Sequence, residues 1–170
     1  MNKFKNRPIV YLAGPLGFSE AGRDFHYSKL IPLIENMGFS YFDPWNTSLR
    51  DKINSVSSMK YGSTKRKEWE NLNQEIGKLN QQNIDRCDFM LAVLDGIDID
   101  SGTAAEIGYA FARNKRVIGY RGDCRYSSDN EGCIINLQVE YFIKSSGGII
   151  VNSLDDLINY LDKMNKFAMT

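Results

Sequence analysis

Residues 95–106 read Asp-Gly-Ile-Asp-Ile-Asp-Ser-Gly-Thr-Ala-Ala-Glu, so Asp95, Asp98, Asp100 and Glu106 place four carboxylates together with no base among them. Gathering like charges raises the energy unless a metal, a ligand or hydrogen bonds compensate. At a cleft, such carboxylates can act as nucleophile, acid or base. Three readings of Glu106 stand side by side. Thr103-Ala104-Ala105-Glu106 has the form of a capping box, in which the glutamate returns to the backbone N–H of the cap residue. Alternatively, Glu106 lies off the apolar stripe of Ala104, Ile107, Gly108 and Phe111, and the helix N-terminus favours its anion, which would leave it free to attack. The third reading, a metal site, is disfavoured because the spacing misses the calcium-loop pattern.

Asn80 is a second oddity. It falls four residues from both Ile76 and Ile84, within the apolar stripe of a helix. An inward amide needs partners, either a structural hydrogen bond or a polar ligand. Gly14-Pro15-Leu16-Gly17 fits neither GxGxxG nor GxxxxGK[ST], and Pro15 removes an N–H that a phosphate cradle would use. The turn is either an ordinary strand-to-helix connection or one whose glycines let a ligand approach closely.

The elements that must position these residues follow from hydrophobic patterning. Pro8–Ala13, Phe39–Asp43, Asp88–Leu94, Lys115–Tyr120 and Gly148–Val151 read as strands, the first and third as continuous apolar runs suited to a sheet covered on both faces. Helical spacing runs from Tyr27 to Met37, with Pro32 expected to kink or split it and Gly38 to end it. Further helices are expected over Trp69–Arg86, Ser101–Asn114 and Ile134–Ser145, and from a Ser153 cap to Lys166. Residues 46–64, polar and aperiodic, read as a flap or mobile loop. The alternation predicts an α/β fold with a five-stranded parallel sheet and helices on both faces, as one domain over residues 1–170. Ligands of such sheets bind beyond the carboxyl ends of the strands. That rule selects Ala13–Arg23, Pro44–Tyr61, Asp95–Glu106 and Arg121–Asp129.

The 170 residues carry 21 Lys+Arg and 21 Asp+Glu, a balance that argues against a binder of nucleic-acid polymers. Cys87, Cys124 and Cys133 have no CxxC spacing, which disfavours a zinc site or disulfide framework. The basic start, Met1–Lys5, leads into an apolar run too short for a signal peptide or membrane span. A soluble cytoplasmic protein is the expectation.

Val10-Tyr11-Leu12-Ala13-Gly14-Pro15, then Asn80, Ile84 and Asp88, then Asp100-Ser-Gly-Thr-Ala-Ala-Glu106-Ile-Gly-Tyr-Ala110, then Ile135-Asn136-Leu137, resemble the nucleoside 2-deoxyribosyltransferases over about residues 9–140. The resemblance implies a flavodoxin-like (Rossmann-like) sheet, no cofactor and no metal. It implies transfer of 2-deoxyribose from a small-molecule deoxynucleoside to a free nucleobase through a covalent glutamyl ester with net retention. It makes Glu106 the nucleophile, Asp100 the residue that contacts or protonates the base, and Tyr11 the holder of the nucleophile. Gly14, Asn80 and Asp98 would bind substrate. Asn136 would reach the sugar of a neighbouring subunit, which requires a homo-oligomer. Many members carry aspartate where this chain has Asn80; an amide cannot donate an acid's proton, which leaves that task to Asp98 or Asp100. Gln138 replaces a common methionine. The wider superfamily includes deoxynucleotide N-glycosidases, so hydrolysis is the alternative to transfer, and a non-catalytic nucleotide-binding module a third.

Several residues are open to either a site or a structural role. His26 reads as structural. Arg23 and Ser19 suit a 5′-phosphate or solvent. Arg121 and Arg125 suit the pocket or a pairing with the acidic loop. Trp45 and Tyr61 could stack on a base, and Trp45 could equally be core.

Overall fold

A computed structural model of the chain describes residues 7–167; Met1–Lys5, the basic lead, lie outside the described residues. Five parallel strands, β1 (Ile9–Ala13), β2 (Ser40–Phe42), β3 (Phe89–Val93), β4 (Arg116–Tyr120) and β5 (Ile150–Val151), form one sheet in the order β2-β1-β3-β4-β5. Val10–Ala13 and all of β3 are buried, as their unbroken apolar runs require when both faces are covered.

The helices are α1 (Glu20–Phe25), α2 (Ile31–Asn36), α3 (Arg50–Ser58), α4 (Ser63–Arg86), α5 (Ser101–Ala112), α6 (Leu137–Ser145) and α7 (Leu154–Phe167). One apolar layer joins Leu30, Ile31 and Ile34 with Leu157 and Leu161 of α7 against Val10, Leu12, Leu91 and Ile118. The opposite layer joins Ile84, Ile107, Ala110, Val139 and Ile143 of α4, α5 and α6 against Tyr11, Met90, Ala92 and Val117. Alternate residues of each strand serve opposite layers, the period-2 geometry of a doubly covered sheet. Between α1 and α2, residues His26–Leu30 form a π-helical turn, closed by the Ile31 N–H donating to His26 O. Pro32 has no N–H to give and its ring would press on the carbonyl four residues back. The wider turn ahead of it is how the expected kink is realised.

One expectation and one of the alternative readings fail. Residues 46–64 are not a loop: α3 and the start of α4 lie there. α3 buries only Val56, so its sequence carries almost no apolar stripe to read. The Thr103 capping box does not form. α5 begins at Ser101, and Asp100 is its cap, with Oδ2 accepting the Thr103 N–H at 2.9 Å and the Thr103 hydroxyl at 3.0 Å. Thr103 is therefore inside the helix, and Glu106 is a turn beyond any box.

Candidate active site

β1 is flanked by β2 and β3, so its following loop and that of β3 diverge to opposite faces. The crevice between their carboxyl ends is the switch point at which such sheets bind ligands. A cavity of about 200 Å³ lies there, lined by Gly14, Phe18, Pro44, Trp45, Asn80, Asp100, Gly102, Thr103 and Glu106. Three of the four loops selected from the sequence supply it, together with α4. The fourth, Arg121–Asp129, lines a separate cavity with Ile134 and Asn152.

Glu106 is the polar centre. The Tyr11 hydroxyl donates to its Oε1 at 2.6 Å, and Asn80 Nδ2 reaches the same oxygen at 3.4 Å. Burial pushes the Glu106 carboxyl up to about 7, opposed by the Tyr11 hydrogen bond and reinforced by the nearby Asp100 charge. The helix N-terminus, expected from the sequence to keep Glu106 ionised, is outweighed by desolvation because Glu106 is a turn inside the helix, so the carboxyl is raised. Tyr11 is wholly buried, and burial first, then the Glu106 charge, raises its phenol far above the ordinary value. It therefore stays a donor. Asn80 Oδ1 is buried with no protein hydrogen-bond partner.

Aromatic residues form another part of the lining. The Trp45 indole N–H donates to Gly14 O at 3.1 Å, and its ring meets Phe18 edge-on at 4.6 Å. Gly17 is required beneath it: a Cβ there would lie 2.0 Å from the indole. Gly14, at φ +152°, brings the chain so close to β3 that a Cβ would lie 2.9 Å from that of Val93. Trp45 thus faces the cavity rather than the core. Phe18, 71% exposed, was not singled out from the sequence, although its place four residues after Gly14 in the first selected loop was a usable signal.

A family model described as "Nucleoside 2-deoxyribosyltransferase" matches residues 10–138. The chain belongs to this family. A protein of Schizosaccharomyces pombe, "Uncharacterized protein C191.05c", is 30% identical over 122 residues, 69% of this chain and 52% of that protein, so the chain spans about half the length of that curated relative. Among solved structures, a conserved protein from Enterococcus faecalis matches with TM-score 0.68 at 24% identity over 94% of this chain and 99% of that one. A 2-deoxyribosyltransferase from Bacillus psychrosaccharolyticus matches at 0.58 and 25% over 89% and 91%. A CMP N-glycosidase from Clostridium botulinum matches at 0.52 and 19% over 92% and 98%.

Within this member of the deoxyribosyltransferase family, the remaining residues sort by where their polar atoms go. Asp98 is exposed, outside the lining, and accepts the Ile99 N–H. Asn136 caps α6, accepting from Gln138 and Val139 N–H, and does not line its own chain's cavity. Arg121, 3% exposed, donates to the carbonyls of Leu94, Gly96 and Arg125. It ties down the acidic loop through backbone rather than charge, while Arg125 pairs with Asp123. Ser19 caps α1 and Arg23 donates to Gly17 O. Tyr61 lies 82% exposed under the Arg66 guanidinium and is no part of the lining. No described helix is long and apolar enough to cross a membrane.

Proposed function

We propose that this chain exchanges the base of 2′-deoxyribonucleosides through a covalent deoxyribosyl ester on Glu106. The observation that carries the reading is the partly buried Glu106 carboxylate, held by Tyr11 and Asn80, in a small cavity with an aromatic wall. A flat base fits against Trp45 and Phe18, which brings C1′ toward Glu106. An ionised Glu106 oxygen attacks C1′ and the C1′–N bond breaks. The bonding pair leaves on the base nitrogen, which takes a proton from Asp100 or solvent. A second base, giving up its N–H proton to Asp100 or solvent, then attacks C1′ with that nitrogen's lone pair, the ester C–O bond breaks with its pair returning to oxygen, and the Glu106 carboxylate is restored. Two inversions give net retention.

The cavity lining holds two carboxylates, Asp100 and Glu106, and no basic side chain, which favours an uncharged nucleoside over a 5′-monophosphate. Asn80 Oδ1 would accept from a sugar hydroxyl or a base N–H. Asn136, unused in its own cavity, would serve a neighbouring subunit in a homo-oligomer, a state that sedimentation measures directly.

Hydrolysis of the same bond is the second reading. The specific observation in its favour is the exposure of Phe18 at the cavity mouth, which leaves water a path to the ester. Incubation with a deoxynucleoside and a different free base separates the readings: a new nucleoside is expected. Free base and deoxyribose alone would give hydrolysis, and no turnover would give a binding module.

A further inference from the structure

His26 takes no part in the chemistry above, yet it is 3% exposed in the π-helical turn. Its Nε2 lies 3.1 Å from Asp43 Oδ1, with both side chains 3% exposed. The pairing is incomplete: neither ring nitrogen nor Asp43 Oδ2 makes a well-directed hydrogen bond within the protein. Buried polar groups left in that state disfavour the fold, which marks the pair as a feature to be accounted for.

The pair leads to Trp45. Asp43 Oδ1, the atom facing His26, also accepts the Trp45 backbone N–H at 2.9 Å. From there the indole runs to Gly14 O, over Gly17 and against Phe18. The π-helical turn inserts one extra residue per turn and so re-aims the side chains within it; His26 is one of the two it buries. Tyr27 stacks edge-on against the imidazole at 4.9 Å. Its phenol is raised by burial first and then by the nearby Asp43 charge.

We propose that His26 is a positioning residue: through Asp43 it fixes the turn that carries Trp45, and so sets the aromatic wall against which a nucleobase stacks. The stacking half rests on the proposed function; the His26–Asp43–Trp45 linkage does not.

The test uses the full chain with Trp69→Phe, which leaves Trp45 as its one indole. Three variants are compared: His26→Phe, His26→Gln and His26→Asn. Glutamine carries an amide nitrogen out to where Nε2 lies; asparagine stops near Nδ1. Acrylamide quenching of Trp45 without ligand is expected to rise severalfold in His26→Phe and His26→Asn and to stay at the parent value in His26→Gln. Fluorescence titration with adenine and thymine as probes is expected to show about tenfold weaker binding in the same two variants, with recovery in glutamine. Should His26→Phe fail to fold, the glutamine–asparagine contrast carries the test, with Arg121→Met as a destabilised control that leaves quenching unchanged. Equal quenching in all folded variants would overturn the proposal, as would equal perturbation by glutamine and asparagine. If quenching splits as expected but neither base binds the parent, the linkage stands and the nucleobase role fails.

Discussion

Two halves of the sheet's mouth use the same residue types for opposite ends. Across β3 and β4, Asp95 accepts the Asp123 N–H, Asp98 accepts Ile99 N–H, Asp123 pairs with Arg125, and Arg121 is taken up by three carbonyls. The charged side chains there are taken up by one another or by backbone, and the one buried side-chain atom without a partner among the described residues of that half, the Ser127 hydroxyl, carries no charge. Between β1 and α5, Glu106 shares one oxygen with two donors, and Asn80 Oδ1 has no protein partner. Satisfied carboxylates hold a loop in place. Desolvated, incompletely partnered ones retain interaction energy for a ligand. Acid density alone, the cue in the sequence, does not separate the halves; the destination of each oxygen does.

The contrast breaks first at Glu106. Glu106→Gln is expected to lower base exchange on the order of 10⁴-fold, as loss of a nucleophile does, while making the fold more stable above neutrality. Below about pH 4.5 the folded and unfolded chains both hold this proton. Between there and about 7 the unfolded chain releases it while the folded one keeps it, so wild-type stability falls as pH rises through that window. The full difference is on the order of 3 kcal/mol. Urea unfolding at pH 5, 6, 7 and 8 should show wild type losing stability relative to the glutamine variant. Parallel curves would mean that Glu106 is not desolvated.

The opposite half should break the other way. Arg121→Met leaves three carbonyls without their donor and is expected to cost about 3 kcal/mol of stability, with exchange per folded molecule within about threefold of wild type. Thermal melts and rates at a temperature where both proteins are folded check it. A large loss of rate in the folded variant would join the two halves into one functional unit.

Much of this was legible in sequence because burial on both faces writes itself as unbroken apolar runs: β1 and β3 lie where Pro8–Ala13 and Asp88–Leu94 put them. Asn80 was legible as a polar residue in an apolar stripe. α3 was not, since a helix that buries one residue has no period to show. Nor was the cap of α5. Asp100 and Thr103 are both good caps, and only the extended backbone at Asp100 decides between them. The Trp45 wall depends on contacts of 27 to 31 residues' separation, between loops that meet only once the sheet has formed.

A smaller effect sharpens the role of the phenol. Tyr11→Phe removes the hydrogen bond that holds Glu106 down, so its carboxyl should rise above about 7 and the rate should need higher pH. At slightly acid pH a loss of about 10- to 100-fold is expected, with little change in stability because phenylalanine fills the same space without a polar atom. A pH–rate profile with an unmoved acidic limb would show that Tyr11 does not tune the nucleophile.

Asp100 lies on the border between the halves, since it lines the cavity yet has its Oδ2 committed to capping α5. Asp100→Asn separates the two duties. Asparagine caps as well as aspartate, so stability should change by less than about 0.5 kcal/mol, whereas Asp100→Ala should lose about 1 kcal/mol. If Asp100 also delivers the proton to the departing base, both variants should slow exchange by about tenfold or more. The loss should be greatest for bases that leave poorly without protonation. Removing its charge also relieves one cause of the raised Glu106 carboxyl, so the acidic limb should move to lower pH in both variants. A rate that follows stability, intact in asparagine and reduced only in alanine, would assign Asp100 to the structural half and leave solvent as the source of the proton.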